Sequence, residues 1–138
     1  MSQPKLPAHE MPGGRLVRHQ DRIWLKAWRD SKDYVNHYLV AARASPDLTL
    51  VYIDPETELE PVGEALRLDQ TKPRPLGEDM QPGDALVLES GRRFIKVLDI
   101  KKDGQRHLAY VDIETGEIRP RQERGQAAVF SGWSLIDA

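Results

Sequence analysis

The sequence predicts a mainly β protein made of two duplicated small β-barrel units, SH3-like or similar, with one helix inserted in the first. Three observations carry that reading. Pro12-Gly13-Gly14-Arg15-Leu16-Val17 and Arg22-Ile23-Trp24-Leu25-Lys26 align without a gap on Pro82-Gly83-Asp84-Ala85-Leu86-Val87 and Arg92-Arg93-Phe94-Ile95-Lys96, at a constant offset of 70. A second block, Leu50-Val51-Tyr52-Ile53-Asp54-Pro55-Glu56-Thr57, recurs as Leu108-Ala109-Tyr110-Val111-Asp112-Ile113-Glu114-Thr115 at an offset of 58. Branched and aromatic runs separated by glycine turns fill the rest, which is the pattern of short antiparallel strands.

The elements follow in order. Residues 1–11, with Pro4 and Pro7 ahead of Pro12-Gly13-Gly14, read as an extended arm that stays mobile or docks on a partner. Residues 12–68 form the first repeat. Between Lys26 and Leu50 it carries 12 residues more than the second repeat has between Lys96 and Leu108. Tyr34, Val35, Tyr38, Leu39 and Ala42 make a helical stripe there, with Ser31 as N-cap and Ser45-Pro46 as stop, so the spacing predicts a helix over 31–43. The competing reading is a longer hairpin, because Val35, His37, Leu39 and Ala41 also alternate.

Residues 69–81, polar and proline-bearing, read as a linker, and 82–138 as the second repeat. Ser90-Gly91 and Asp103-Gly104 each mark a hairpin, the latter as a two-residue turn with both central positions at positive φ. Glu114-Thr115-Gly116 fits a type I turn closed by a left-handed glycine, and Ala127 to Ile136 supplies a last strand or two.

Composition removes several classes of function. With 39% hydrophobic and 30% charged residues the chain is neither disordered nor membrane-spanning. The absence of cysteine excludes disulfides, thiol nucleophiles and cysteine-ligated metals, and His9, His19, His37 and His107 fit no metal-ligand spacing. No metal or cofactor is expected. Met1-Ser2-Gln3-Pro4-Lys5 lacks the apolar core of a secretory signal, so a cytoplasmic protein is expected, or a virion-associated one if the chain is of phage origin. Charge is uneven: residues 49–91 carry −7, against +3 before and +2 after them.

Two patterns carry candidate chemistry. Arg22, Trp24 and Lys26, repeated as Arg92, Phe94 and Lys96, place a ring between two bases on one strand face, the arrangement that stacks on a base and holds phosphates. Asp54/Glu56/Thr57 and Asp112/Glu114/Thr115 present paired carboxylates, suited to a hydrolase, although such residues at a hairpin end more simply accept turn N–H groups. Trp24, Trp28, Tyr34, Tyr38 and Trp133 supply large amphipathic side chains of the kind that dominate protein interfaces. No catalytic constellation is visible. The expectation is a non-enzymatic assembly or accessory module that binds other protein subunits as a homo- or hetero-oligomer, with a structural component of a particle such as a virion as one form. Tandem nucleic-acid-binding barrels are the alternative, a carboxylate-dependent hydrolase is the next, and no membrane partner is expected.

Overall fold

A computed structural model of the chain describes residues 4–68, 73–75, 81–120, 127–130 and 133–137, and every regular element among them is a strand. The first seven are β1 (Leu6–Pro7), β2 (Leu16–His19), β3 (Arg22–Asp30), β4 (Val35–Ala41), β5 (Leu50–Ile53), β6 (Glu58–Pro61) and β7 (Glu64–Leu68). The second seven are β8 (Pro73–Pro75), β9 (Ala85–Leu88), β10 (Arg93–Ile100), β11 (Arg106–Asp112), β12 (Ile118–Arg119), β13 (Ala127–Phe130) and β14 (Trp133–Asp137). One antiparallel sheet runs β1-β6-β2-β3-β4-β5 and another β8-β13-β9-β10-β11-β12, so the strand order is the same when each strand is matched to the one seven places later. The remaining strands, β7 and β14, pair with each other from Trp133 against Leu68 to Asp137 against Glu64.

Several expectations are corrected. Both six-stranded sheets are open, so the units are not barrels. The segment expected to be a helix is the turn 31–34 followed by strand β4. Its helical stripe fails because both faces of β4 are covered: Tyr38 and Val40 enter one apolar cluster while Leu39 enters another, so alternate residues are buried on opposite sides. The N-terminal arm docks on its own chain, with Ala8 N donating to Thr57 O at 2.8 Å, His9 N to Pro55 O at 3.0 Å, and β1 pairing with β6. Inside the expected linker, residues 73–75 form β8 along β13; residues 69–72 and 76–80 lie outside the described residues.

The repeat itself is registered differently from its alignment. In the first hairpin Gln20 and Asp21, both at positive φ, make a two-residue turn between His19 and Arg22. In the second, Glu89-Ser90-Gly91 make a three-residue loop in which Gly91 N donates to Leu88 O at 2.8 Å. The added residue means that Lys26 matches Lys96 while Gly14 matches Gly83. Hydrogen bonds prove the match: Gly14 N donates to Lys26 O and Lys26 N to Arg15 O (both 2.9 Å), as Gly83 N does to Lys96 O (2.8 Å) and Lys96 N to Asp84 O (3.0 Å). Each is a bulge in which two residues oppose one lysine and the first is a glycine at positive φ. The second sequence block does not survive: Leu50–Ile53 form β5, whereas Leu108–Val111 belong to β11, whose counterpart is β4. Asp103-Gly104 also differs, since Gly104 alone has positive φ within a longer loop closed by Lys101 N to Gln105 O.

Alternation along β3 and β10 divides the interior. Leu25 and Ala27 join Ile95 and Val97 in one core with Leu16, Val40, Ala85, Val111 and Trp133, so the two halves bury a single apolar interior rather than one each. Residues on the other face form smaller clusters: Val17, Leu39, Ile53 and Leu59 lie under Ala8 and Met11 of the arm, and Leu86, Leu88 and Phe94 pack with Tyr110.

The junction is reciprocal. Trp28 N donates to Gly116 O at 2.9 Å, and its counterpart Leu98 N donates to Leu48 O at 2.8 Å. One residue further on, Arg29 and its own counterpart Asp99 meet each other, Nη1 to Oδ2 at 2.8 Å. Arg29 also donates to the Tyr38 hydroxyl at 2.8 Å and lies over that ring, and Lys101 donates to Asp99 at 2.9 Å. Burial alone would raise the Asp99 carboxyl, but the bonds from Arg29 and Lys101 outweigh it and hold it below the usual range.

Two outcomes follow for stability. In urea titrations Arg29→Ala and Asp99→Ala should each destabilise, and a double-mutant cycle should give a coupling of about 1–3 kcal/mol. Gly104→Ala meets only the left-handed backbone penalty, about 1 kcal/mol, because its side is open, whereas Gly116→Ala drives a methyl into the backbone of Gly14 and Lys26 and should cost at least about twice that.

Candidate functional site

The outer face of the first sheet carries an unusual pair. Lys26, an even-numbered residue of β3, points away from the shared core, yet it is only 1% exposed because the N-terminal arm covers that face. On the neighbouring strand His37 lies opposite Trp28, and its Nδ1 is 3.0 Å from Lys26 Nζ. An ammonium only donates, so Nδ1 is the acceptor and the imidazole proton sits on Nε2. His9 and Met11 from the arm, Pro55 from the turn after β5, and Val35 and Trp28 complete a cleft of about 520 Å³. Trp28 is fixed from behind, its Nε1 donating to Thr115 O of the other half at 2.8 Å. At the rim His9 Nε2 is 3.5 Å from Glu56 Oε1.

Electrostatics follow from this enclosure. Burial pushes Lys26 down to about 8. Burial likewise lowers His37, and the charges of Lys26 and His9 lower it further, so the imidazole is neutral at pH 7. Among the described residues no carboxylate bonds to Lys26. In the second half the matching Lys96 is also buried and lowered by burial, but there the Asp84 charge opposes the shift. The residue that matches Asp84 in the first bulge is Arg15. Leu108 faces Leu98 where His37 faces Trp28, so the lysine–imidazole pair occurs in one half only.

The sequence-derived candidates are distributed as follows. Trp24 is half-buried against the arm and donates from Nε1 to His19 O at 2.9 Å. Tyr38 and Trp133 are buried, Trp133 Nε1 donating to Gly83 O at 2.9 Å; Tyr34 stands exposed at the β3–β4 turn. Of the alternating cation–aromatic face, Arg22 is exposed, but Lys26, Phe94 and Lys96 are buried and Arg92 bonds Asp112 Oδ2 at 3.0 Å. The arm and the packing of β11 remove most of that face from solvent. The paired carboxylates close turns: Asp54 Oδ1 accepts Glu56 N at 2.8 Å, and Asp112 Oδ1 accepts Glu114 N at 2.8 Å and Thr115 N at 3.3 Å. No cluster of three possible metal ligands exists among the described residues.

Sequence reasoning missed His37 and His9 as a pair with Lys26. The one available signal was His37 alternating with Leu39 and Ala41 once the segment is read as a strand, and nothing local placed the arm over it. No protein-family model, curated protein or solved structure matches the chain. No helix among the described residues is long and apolar enough to cross a membrane.

The buried ammonium has a measurable signature. Lys26 binds its proton less tightly folded than unfolded, so its burial costs stability below pH 8, and the cost disappears as pH rises from about 8 toward 10.5. Lys26→Met should therefore gain up to about 3 kcal/mol at pH 7. In paired urea titrations that gain over the wild type should shrink steadily above pH 8.

Proposed function

We propose that this chain is a non-enzymatic assembly module that binds another protein subunit by adding a strand to the free edge of β5. The observation that carries the reading is the state of the sheet edges. Of the four outer edges of the two six-stranded sheets, β1 and β12 have two residues each, and β8 has proline at both ends. Short strands and prolines are how proteins discourage unwanted pairing. β5 has no such protection. It reads Leu-Val-Tyr-Ile, without charge, proline or bulge, and Val51 and Tyr52 are 42% and 60% exposed. Tyr52 is braced edge-on against Tyr38, ring centroids 5.7 Å apart, so a large ring is held at the surface by the Arg29–Asp99 junction behind it. Strand addition draws affinity from main-chain bonds along the edge and specificity from side chains such as these.

Of the exposed large apolar residues, Tyr34 and Val35 lie at the start of β4 and Val51 and Tyr52 on β5, while Ile100 ends β10 and Leu108 lies within β11. A structural role in a larger particle, a virion included, is the wider form of the proposal, and it needs only that the neighbouring subunit offer an extended segment.

Light scattering and cross-linking mass spectrometry of the purified chain with its co-purifying proteins test it. The chain should be found in a complex with cross-links flanking residues 50–53, and Val51→Lys with Tyr52→Lys should weaken that complex at least about tenfold, because charge on an edge strand opposes pairing. A monomer with no protein partner at micromolar concentration would refute the reading, as would cross-links confined to other surfaces.

A further inference from the structure

We propose that the cleft over Lys26 is a binding site for a small organic carboxylate, its anionic group on Lys26 and its apolar body against Trp28, Met11, Val35 and Pro55. The argument starts from unused donors. An ammonium offers three N–H groups. His37 Nδ1 takes one of those of Lys26, and among the described residues nothing accepts the other two. A buried cation in that state favours a further acceptor, and the cleft gives one from outside the chain a route in. A volume of about 520 Å³ lies within the usual range for small-molecule sites, which are lined mainly by apolar and aromatic groups with a few placed polar ones.

The lining selects the charge and shape of the ligand. At pH 7 the cleft presents one buried cation, since His37 is neutral and His9 at the rim faces Glu56. A single ammonium balances a monoanion. Among the described residues no arginine, glycine loop or helix N-terminus lines the cleft, and these are the features that hold phosphate dianions. The rest of the lining, Trp28, Met11, Val35 and Pro55, suits an apolar body on the same molecule. Comparison between the halves gives an internal control: Lys96 already has the Asp84 charge beside it, and Leu108 stands where the imidazole would be.

The pH dependence is set by every titratable group facing the site: Lys26 on β3, His37 on β4, His9 on the arm and Glu56 on the turn before β6. Carboxylate binding requires protonated Lys26, so affinity is full below pH 8 and declines above it. Acidification through the lowered range of His37 adds a second cation and strengthens binding until the ligand itself takes up a proton.

Benzoate is the probe, titrated into the full chain by calorimetry, with benzamide and inorganic phosphate as comparators. Saturable benzoate binding is expected, with benzamide and phosphate at least about tenfold weaker, since a hydrogen bond to a charged group carries at least that much. Lys26→Met should lose at least about tenfold in benzoate affinity while Lys96→Met retains it. In wild-type protein the Lys26 ε-methylene resonance should titrate at higher pH with benzoate than without, a readout that does not depend on how any variant folds. Absence of saturation, benzamide or phosphate binding as tightly as benzoate, retained affinity in Lys26→Met, loss in Lys96→Met, or an unmoved Lys26 titration would each overturn the assignment.

Discussion

The structure depends on two places where backbone meets backbone with no room for a side chain. A Cβ on Gly14 would collide with the carbonyl of Glu114, and one on Gly83 with the carbonyl of Ser45, so each bulge is roofed by a loop from the other half. Both glycines also hold a positive φ that other residues adopt only with strain. These bulges set the twist of the central hairpins, and a bulge bends its strand toward one side. The loop seated on each bulge follows the strand next to the central hairpin of the opposite half, so the strand ends of each half are packed by the other.

That reciprocity explains the single core. If each half closed into its own barrel, Leu25 and Ile95 would face separate interiors, each from about half of a 138-residue chain, a size at which burial is marginal. Opening both sheets and turning their inner faces together buries the same side chains in one larger interior. The matched strands β7 and β14 then pair across the junction, and the matched positions 29 and 99 come within bonding distance. Identical residues at 29 and 99 would set like charges against each other. Arg29 with Asp99 turns that liability into a hydrogen-bonded ion pair, which two halves of different sequence can make and two identical copies cannot.

The mainly β character was legible in the sequence, whereas the barrels, the helix and the register were misread for physical reasons. The shared Arg-x-aromatic-x-Lys pattern did mark matching strands, with Leu25 and Ile95 facing the one core. The Leu-Val match is out by one residue, since Leu16 lies in the shared core and Leu86 in an outer cluster. The register slipped by one because a two-residue turn at Gln20-Asp21 carries none of the usual glycine signal; two polar residues at positive φ look like any polar pair. Leu50–Ile53 resembled Leu108–Val111 because both strands lead into an acidic turn, and similar turns recruit similar residues without occupying similar places in the sheet. The segment 35–41 misled in a different way. A strand buried on both faces loses its period of two, and what remains is an apolar run that fits a helical stripe by chance. The cleft over Lys26 was not legible at all, since it exists only where the arm, β3, β4 and the turn after β5 converge from distant parts of the chain.

The two halves differ most where their folding needs them least. Lys26 and Lys96 have the same place in the same bulge, each with its backbone N–H and carbonyl fully used, so the scaffold requires the backbone at that position and is indifferent to the ammonium. A lysine kept there for folding alone would be expected to carry its counter-charge with it, as Lys96 does with Asp84. In the first half the matching residue is Arg15, which cannot serve as a counter-charge, and the histidine beside Lys26 cannot neutralise it. The amine is thereby held buried at a cost to stability that an apolar residue would avoid. A buried cation lining the cleft, in the half whose arm shapes that cleft, is the feature on which the proposed carboxylate site rests.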